Sequence, residues 1–201
     1  MTGNRNDWFP TPIWMFKVDN CQEMNQELLQ AIYGGYNQYN PGKELSYVLG
    51  LDSIDSWHWR KTYNDFIRIV TNNVMEAATF LSWDLSKCTI DVANCWALIN
   101  NQYNYNSNSV QNYSNSLLSG IYYLKAPLNC GGVFFNDPRP AAQILVPPVS
   151  EFNMWTLPRI TYKAYEGTML IFPSWLMHGA ESNLSGEDRV SINFNIGMLP
   201  I

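Results

Sequence analysis

Residues 189–196 alternate without a break between polar and apolar side chains. A strand turns successive side chains to opposite faces. Val190, Ile192, Phe194 and Ile196 therefore share an apolar face, and Arg189, Ser191, Asn193 and Asn195 share a polar one. A one-residue slip would exchange the two faces, so this strand fixes its own register in a sheet that is covered on one side.

The rest of the second half carries compatible signals. Residues 89–99 (TIDVANCWALI) read as a strand. So do 118–127 (LSGIYYLKAP), ending at a proline, 131–140 (GGVFFNDPRP), opening at a Gly-Gly turn, and 161–176, bending at Gly167. The first half differs. An edge strand fits 7–18, with its two prolines. Cys21, Met24, Leu28 and Ala31 or Ile32 recur at helical spacing from Asp19 to about Tyr33, with a stop at Gly34-Gly35. Phe66, Ile69, Val70, Val74, Ala77, Ala78 and Leu81 form the apolar face of a second helix, with Asn64 or Asp65 as its cap. Residues 34–62 and the Asn/Ser/Tyr/Gln run at 100–116 read as loops. Helices followed by many short strands predict an α+β chain of 201 residues forming one domain, 1–201, with a helical part at about 19–82 and a β core at about 89–199.

Composition narrows the partners. A net charge of −5 with scattered Lys and Arg argues against a nucleic-acid surface. No apolar run approaches the roughly 20 residues of a membrane span, and MTGNRNDWFP carries no signal-peptide core. Cys21, Cys88, Cys95 and Cys130 have no metal-knuckle spacing and read as reduced thiols. The expectation is a cytoplasmic protein, or one built into an assembly inside a cell.

Four segments in fixed order, WFPTPIW (8–14), LSGIYYLKAP (118–127), VFFNDPRP (133–140) and LIFPSWLMHGAESNLSGEDRVSINFN (170–195), resemble a family of 2-oxoglutarate/Fe(II)-dependent oxygenases. That family is related to prolyl hydroxylases and is widespread in marine bacteria and cyanobacterial phages. The resemblance implies a distorted double-stranded β-helix, a jelly roll of two antiparallel sheets with N-terminal helices packed on one of them. It also implies an Fe(II) site of two His and one carboxylate that leaves positions for 2-oxoglutarate and oxygen.

Carried over residue by residue, His178 matches the distal histidine ligand at the end of an apolar strand. Arg189 and Ser191 match the Arg-x-Ser that binds the far carboxylate of 2-oxoglutarate, because a guanidinium grips a carboxylate through paired hydrogen bonds. The bland readings are a core histidine, and an arginine paired with Glu187 or Asp188. The family's His-x-His positions fall on Gln111 and Tyr113, so two of the expected metal donors are an amide and a phenol. The only other histidine, His58, lies in a Trp-rich segment that the family does not use. Asp137 in FNDPRP reads as turn initiation.

Three functions compete on this sequence. A protein that keeps the fold but has lost the chemistry would serve as a binding or structural component, with a phage-particle role open and the 100–116 loop as its partner surface. An active oxygenase would hydroxylate an unknown substrate with Fe(II) and 2-oxoglutarate on a non-standard metal site. A small-molecule module would hold an organic acid on Arg189 without metal. The missing ligands favour the first, for which no bound cofactor is expected.

Overall fold

A computed structural model describes residues 3–39, 47–50, 57–101, 110–113, 115–139 and 147–201. Its elements are β1 (Trp14–Lys17), α1 (Gln22–Tyr39), β2 (Tyr47–Gly50), α2 (Trp57–Phe80), β3 (Cys88–Asn100), β4 (Leu118–Lys125), β5 (Gly132–Asn136), β6 (Arg159–Lys163), β7 (Thr168–Pro173), β8 (His178–Ala180) and β9 (Arg189–Pro200).

One sheet has the order β1-β7-β4-β9-β3-β2 and the other β6-β5-β8. Every strand pairing is antiparallel. A bridge between Gln111 and His178 extends the second sheet beyond β8. From β3 the chain crosses to the Gln111 segment, back to β4, across to β5 and β6, back to β7, across to β8, and back to β9. That repeated exchange between two facing sheets is the distorted double-stranded β-helix.

The alternation of β9 sets the layers. Val190, Ile192, Phe194 and Ile196 are fully buried in the main core. They lie there with Leu28 and Ile32 of α1, and with Phe66, Val70 and Val74 of α2. The two helices thus cover the outer face of the six-stranded sheet. Tyr122 ties this face together, its hydroxyl donating to Asn25 Oδ1 at 2.7 Å. A second core inside the barrel joins Leu170 and Phe172 of β7 to Val133 and Phe135 of β5, with Leu176.

Several expectations need correction. α1 does not stop at Gly34-Gly35 but runs to Tyr39, because glycine weakens a helix by only about 1 kcal/mol and needs a competing turn to end it. α2 begins at Trp57, so Asn64 and Asp65 lie inside it and do not cap it. Part of the supposed loop 34–62 is β2, paired with β3. The candidate at 161–176 is two strands in different sheets, separated by Gly167, whose φ of 75° suits a turn. Residues 102–109 and 114 of the polar run lie outside the described residues. Near its end Gln111 forms an isolated bridge with His178, and the Tyr113 backbone N–H donates to the Ser174 carbonyl.

Candidate functional site

His178 does not close the apolar strand β7, as expected; it opens β8 in the other sheet. A turn at 174–177 carries the chain across the barrel. Backbone N–H groups of Gln111 and His178 donate to each other's carbonyls, at 2.8 and 3.1 Å. Residues directly opposite in an antiparallel pair point to one face, and i, i+2 residues do likewise. Gln111, Tyr113 and His178 therefore share a face. Ring contacts agree: the His178 imidazole lies 4.7 Å from Phe172, 5.9 Å from Tyr113 and 6.0 Å from Phe135, centroid to centroid. Trp96 closes the group, 5.6 Å from Tyr113.

The environment sets the protonation states. His178 is buried, and Nδ1 stands 2.8 Å from the Leu176 carbonyl. A carbonyl can only accept, so Nδ1 carries the proton and Nε2 the lone pair in the neutral ring. Desolvation lowers the His178 pKa from its ordinary 6.5, against a smaller opposing effect of the Leu176 carbonyl. Burial raises the pKa of Tyr113, so at neutral pH it remains a phenol.

The depressed His178 pKa has a consequence for stability. Above the unfolded value of 6.5 both states hold the ring neutral, and His178 adds no pH dependence. As pH falls below 6.5, the unfolded chain takes up the proton first and stability declines. In His178→Gln, denaturant unfolding at pH 7.5 and pH 5.5 should differ less than in the wild type. An unchanged difference would mean that the ring is not held neutral by burial.

Arg189 opens β9 and is 1% exposed. Its side chain spans the barrel: Nη1 donates to the carbonyls of Cys130 (2.7 Å) and Glu181 (3.0 Å), and Nη2 to Asn100 Oδ1 (3.2 Å). It does not pair with the acids of the preceding turn. Glu187 binds Lys125 at 2.9 Å, and Asp188 accepts from Tyr33. Ser191 follows on the same strand face, buried opposite Leu98 and Tyr123, with Asn193 Nδ2 donating to its Oγ at 3.3 Å. The guanidinium sits at the level of Gly131 and Glu181, and His178 at that of Phe135. Four residues of strand, about 13 Å, separate these levels.

Asn100 is a partner of Arg189 that sequence reasoning missed. It stands opposite Arg189 in the β3–β9 register and is 1% exposed. Nothing distinguishes it in sequence from its asparagine-rich neighbours; only the register puts it against the guanidinium. Asp137 behaves as a turn residue: Arg139 donates to it from its backbone N–H (3.0 Å) and side chain, which holds the carboxyl below its ordinary pKa. His58 is in the first turn of α2.

The three positions carried over from the family do not together offer the two imidazoles and one carboxylate of a facial triad. Only His178 offers an imidazole, beside a neutral amide and a protonated phenol. Among the described residues, no three His, Cys, Asp or Glu side chains group closely enough to hold a metal ion. The Arg189 end, in contrast, fits a carboxylate. No helix of the described residues is long and apolar enough to cross a membrane.

Known proteins place this architecture. A family model described as "Putative 2OG-Fe(II) oxygenase" matches residues 94–195, just over half of the chain. No curated protein matches the sequence. Among solved structures, AviO1 from Streptomyces viridochromogenes Tue57 aligns with a TM-score of 0.64 at 11% identity, over 93% of this chain and 90% of its own. A Pseudomonas putida prolyl-4-hydroxylase aligns at 0.58 and 10% identity, over 92% of each chain. HygX from Streptomyces hygroscopicus, solved with nickel and 2-oxoglutarate bound, aligns at 0.54 and 12% identity, over 93% of this chain and 82% of its own. At such identities the structures speak for the fold alone, while the family model matches the sequence from β3 to β9. The chain belongs to the 2OG-Fe(II) oxygenase family.

Proposed function

We propose that this is a 2-oxoglutarate/Fe(II) dioxygenase-like protein with a degenerate iron site, working as a non-catalytic binding or structural component. The observation that carries the reading is the pairing of Gln111 with His178. It puts the two expected ligand positions on the histidine's face, and they carry an amide and a phenol. Fe(II) gains its binding energy from imidazole and carboxylate donors at fixed geometry. One imidazole with two neutral oxygens holds it weakly, and Tyr113 keeps its proton.

The alternative, an active oxygenase with a non-standard site, draws on one feature. His178 directs Nδ1 to a carbonyl and leaves Nε2 for a ligand, as metal-binding histidines do. One experiment separates the two. Protein loaded anaerobically with Fe(II) and passed through a desalting column should retain far less than one iron per chain and form no succinate from 2-oxoglutarate. Stoichiometric iron with turnover would establish the enzyme.

A binding component needs a partner. The Tyr, Asn and Ser of the 100–116 segment are the residue types that adaptable recognition loops use. We place a protein partner there, in the cytoplasm or, given the family's occurrence in cyanobacterial phages, in a phage particle.

A further inference from the structure

The smaller sheet ends on a strand whose backbone is unpaired along one side. β6 pairs with β5 and, among the described residues, with no strand beyond it. Flanking bonds fix which backbone groups face outward. The Asp137 N–H donates to the Pro158 carbonyl, and the Ala164 N–H to the Gly131 carbonyl. Pro158 and Ala164 thus turn their backbone groups toward β5. That direction alternates along an antiparallel strand. Ile160 and Tyr162 therefore bond β5 as well, and the N–H and C=O groups of Arg159, Thr161 and Lys163 point to the open edge. Such a row is a template for one more strand.

The side chains say which strand would fit. Arg159 and Thr161 lie on the outer face, the guanidinium 4.0 Å above the Phe134 ring and the hydroxyl donating to Glu181 Oε1 at 3.4 Å. Lys163 shares that face by alternation. Arg159 donates to the neutral Asn136 Oδ1 at 3.0 Å, Lys163 is exposed, and neither has an acidic partner among the described residues. On the inner face Tyr162 packs into the barrel core, while Ile160 is 44% exposed with no strand beyond it to cover it. A second copy of β6 does not suit this edge. The antiparallel register that pairs the whole strand with itself centres on Thr161 and sets Arg159 of each copy against Lys163 of the other. Like charges directly opposite destabilise a strand pair.

We propose that the β6 edge takes an acidic, extended segment of a partner protein as an added antiparallel strand. The residues opposite Arg159 and Lys163, four apart on that segment, are Asp or Glu. Those opposite Ile160 and Tyr162 face inward and are apolar. Main-chain hydrogen bonds supply the affinity, and the alternate side chains supply the selection. The inference does not depend on the state of the iron site.

The test titrates the full chain into a fluorescein-labelled, end-capped peptide with the core Glu-Val-Thr-Val-Glu and reads fluorescence anisotropy. The peptide should bind with a Kd on the order of 100 µM, and its Lys-Val-Thr-Val-Lys counterpart at least about tenfold more weakly. Methylating the backbone nitrogen of the peptide's threonine removes a donor aimed at the Thr161 carbonyl and should abolish binding. Thr161→Pro removes the matching donor on the protein. That N–H faces the open edge, where proline is tolerated, so binding should be lost with little change in melting temperature. Arg159→Glu/Lys163→Glu should reverse the preference between the two peptides. No binding of the acidic peptide at about 1 mM protein would overturn the proposal. So would equal binding of the acidic and basic peptides, or undiminished binding of the methylated one, a result that decides the matter even where Thr161→Pro fails to fold.

Discussion

Gly120→Ala should destabilise the protein by about 3 kcal/mol, a large share of the stability of a domain this size. Gly120 lies in the middle of β4, opposite Phe194 of β9 on one side and Ile171 of β7 on the other. The Phe194 ring lies directly over it, and a Cβ built there would overlap the ring. The ring cannot retreat, since it is fully buried against the helices. In Gly120→Ala/Phe194→Leu the ring is gone and the added methyl has space, so the double variant should be more stable than Gly120→Ala alone. Such non-additivity is the mark of two residues in direct contact. Urea unfolding followed by tryptophan fluorescence measures it. Wild-type stability in Gly120→Ala would mean that the β4–β9 register is wrong, and with it the placement of Arg189 and Ser191.

Gln111→His/Tyr113→Asp should gain Fe(II) affinity on the order of 100-fold or more, since changes outside the ligand shell alone shift metal affinity by 10–100-fold. The double variant supplies two imidazoles and a carboxylate on one face: His at 111, Asp at 113 and the native His178. The Gln111–His178 bridge fixes the first pair, and the backbone bond from Tyr113 to the Ser174 carbonyl fixes the third position at 3.0 Å. No new backbone is needed, only donors. Anaerobic calorimetry with Fe(II), with circular dichroism to show the fold retained, reads the gain. A folded double variant that binds no more tightly than the wild type would show that positions 111 and 113 do not face His178.

Much of this architecture was legible because strand periodicity is a local signal. The β9 alternation identified its buried face residue by residue, and the motifs around it identified the family. What failed depended on distant contacts. α1 continues through Gly34-Gly35 because glycine weakens a helix without by itself ending it. β2 and the first turns of α2 were hidden in an aromatic-rich stretch without clear periodicity. β8 has three residues, too few for any pattern, so His178 was assigned to the strand before the turn and not to the sheet after it. The candidate site shows the same division. Arg189, Ser191 and His178 were found by motif. The contact of Asn100 with Arg189 required the β3–β9 register.

The proposed degeneracy of the iron site is tested most directly on the wild-type protein. Iron should be measured per chain after anaerobic loading with Fe(II) and excess 2-oxoglutarate, alongside succinate release, in wild type and in His178→Ala. The account predicts iron well below one per chain, no succinate, and no difference between the two proteins. One iron per chain in the wild type, with succinate release that disappears in His178→Ala, would contradict it.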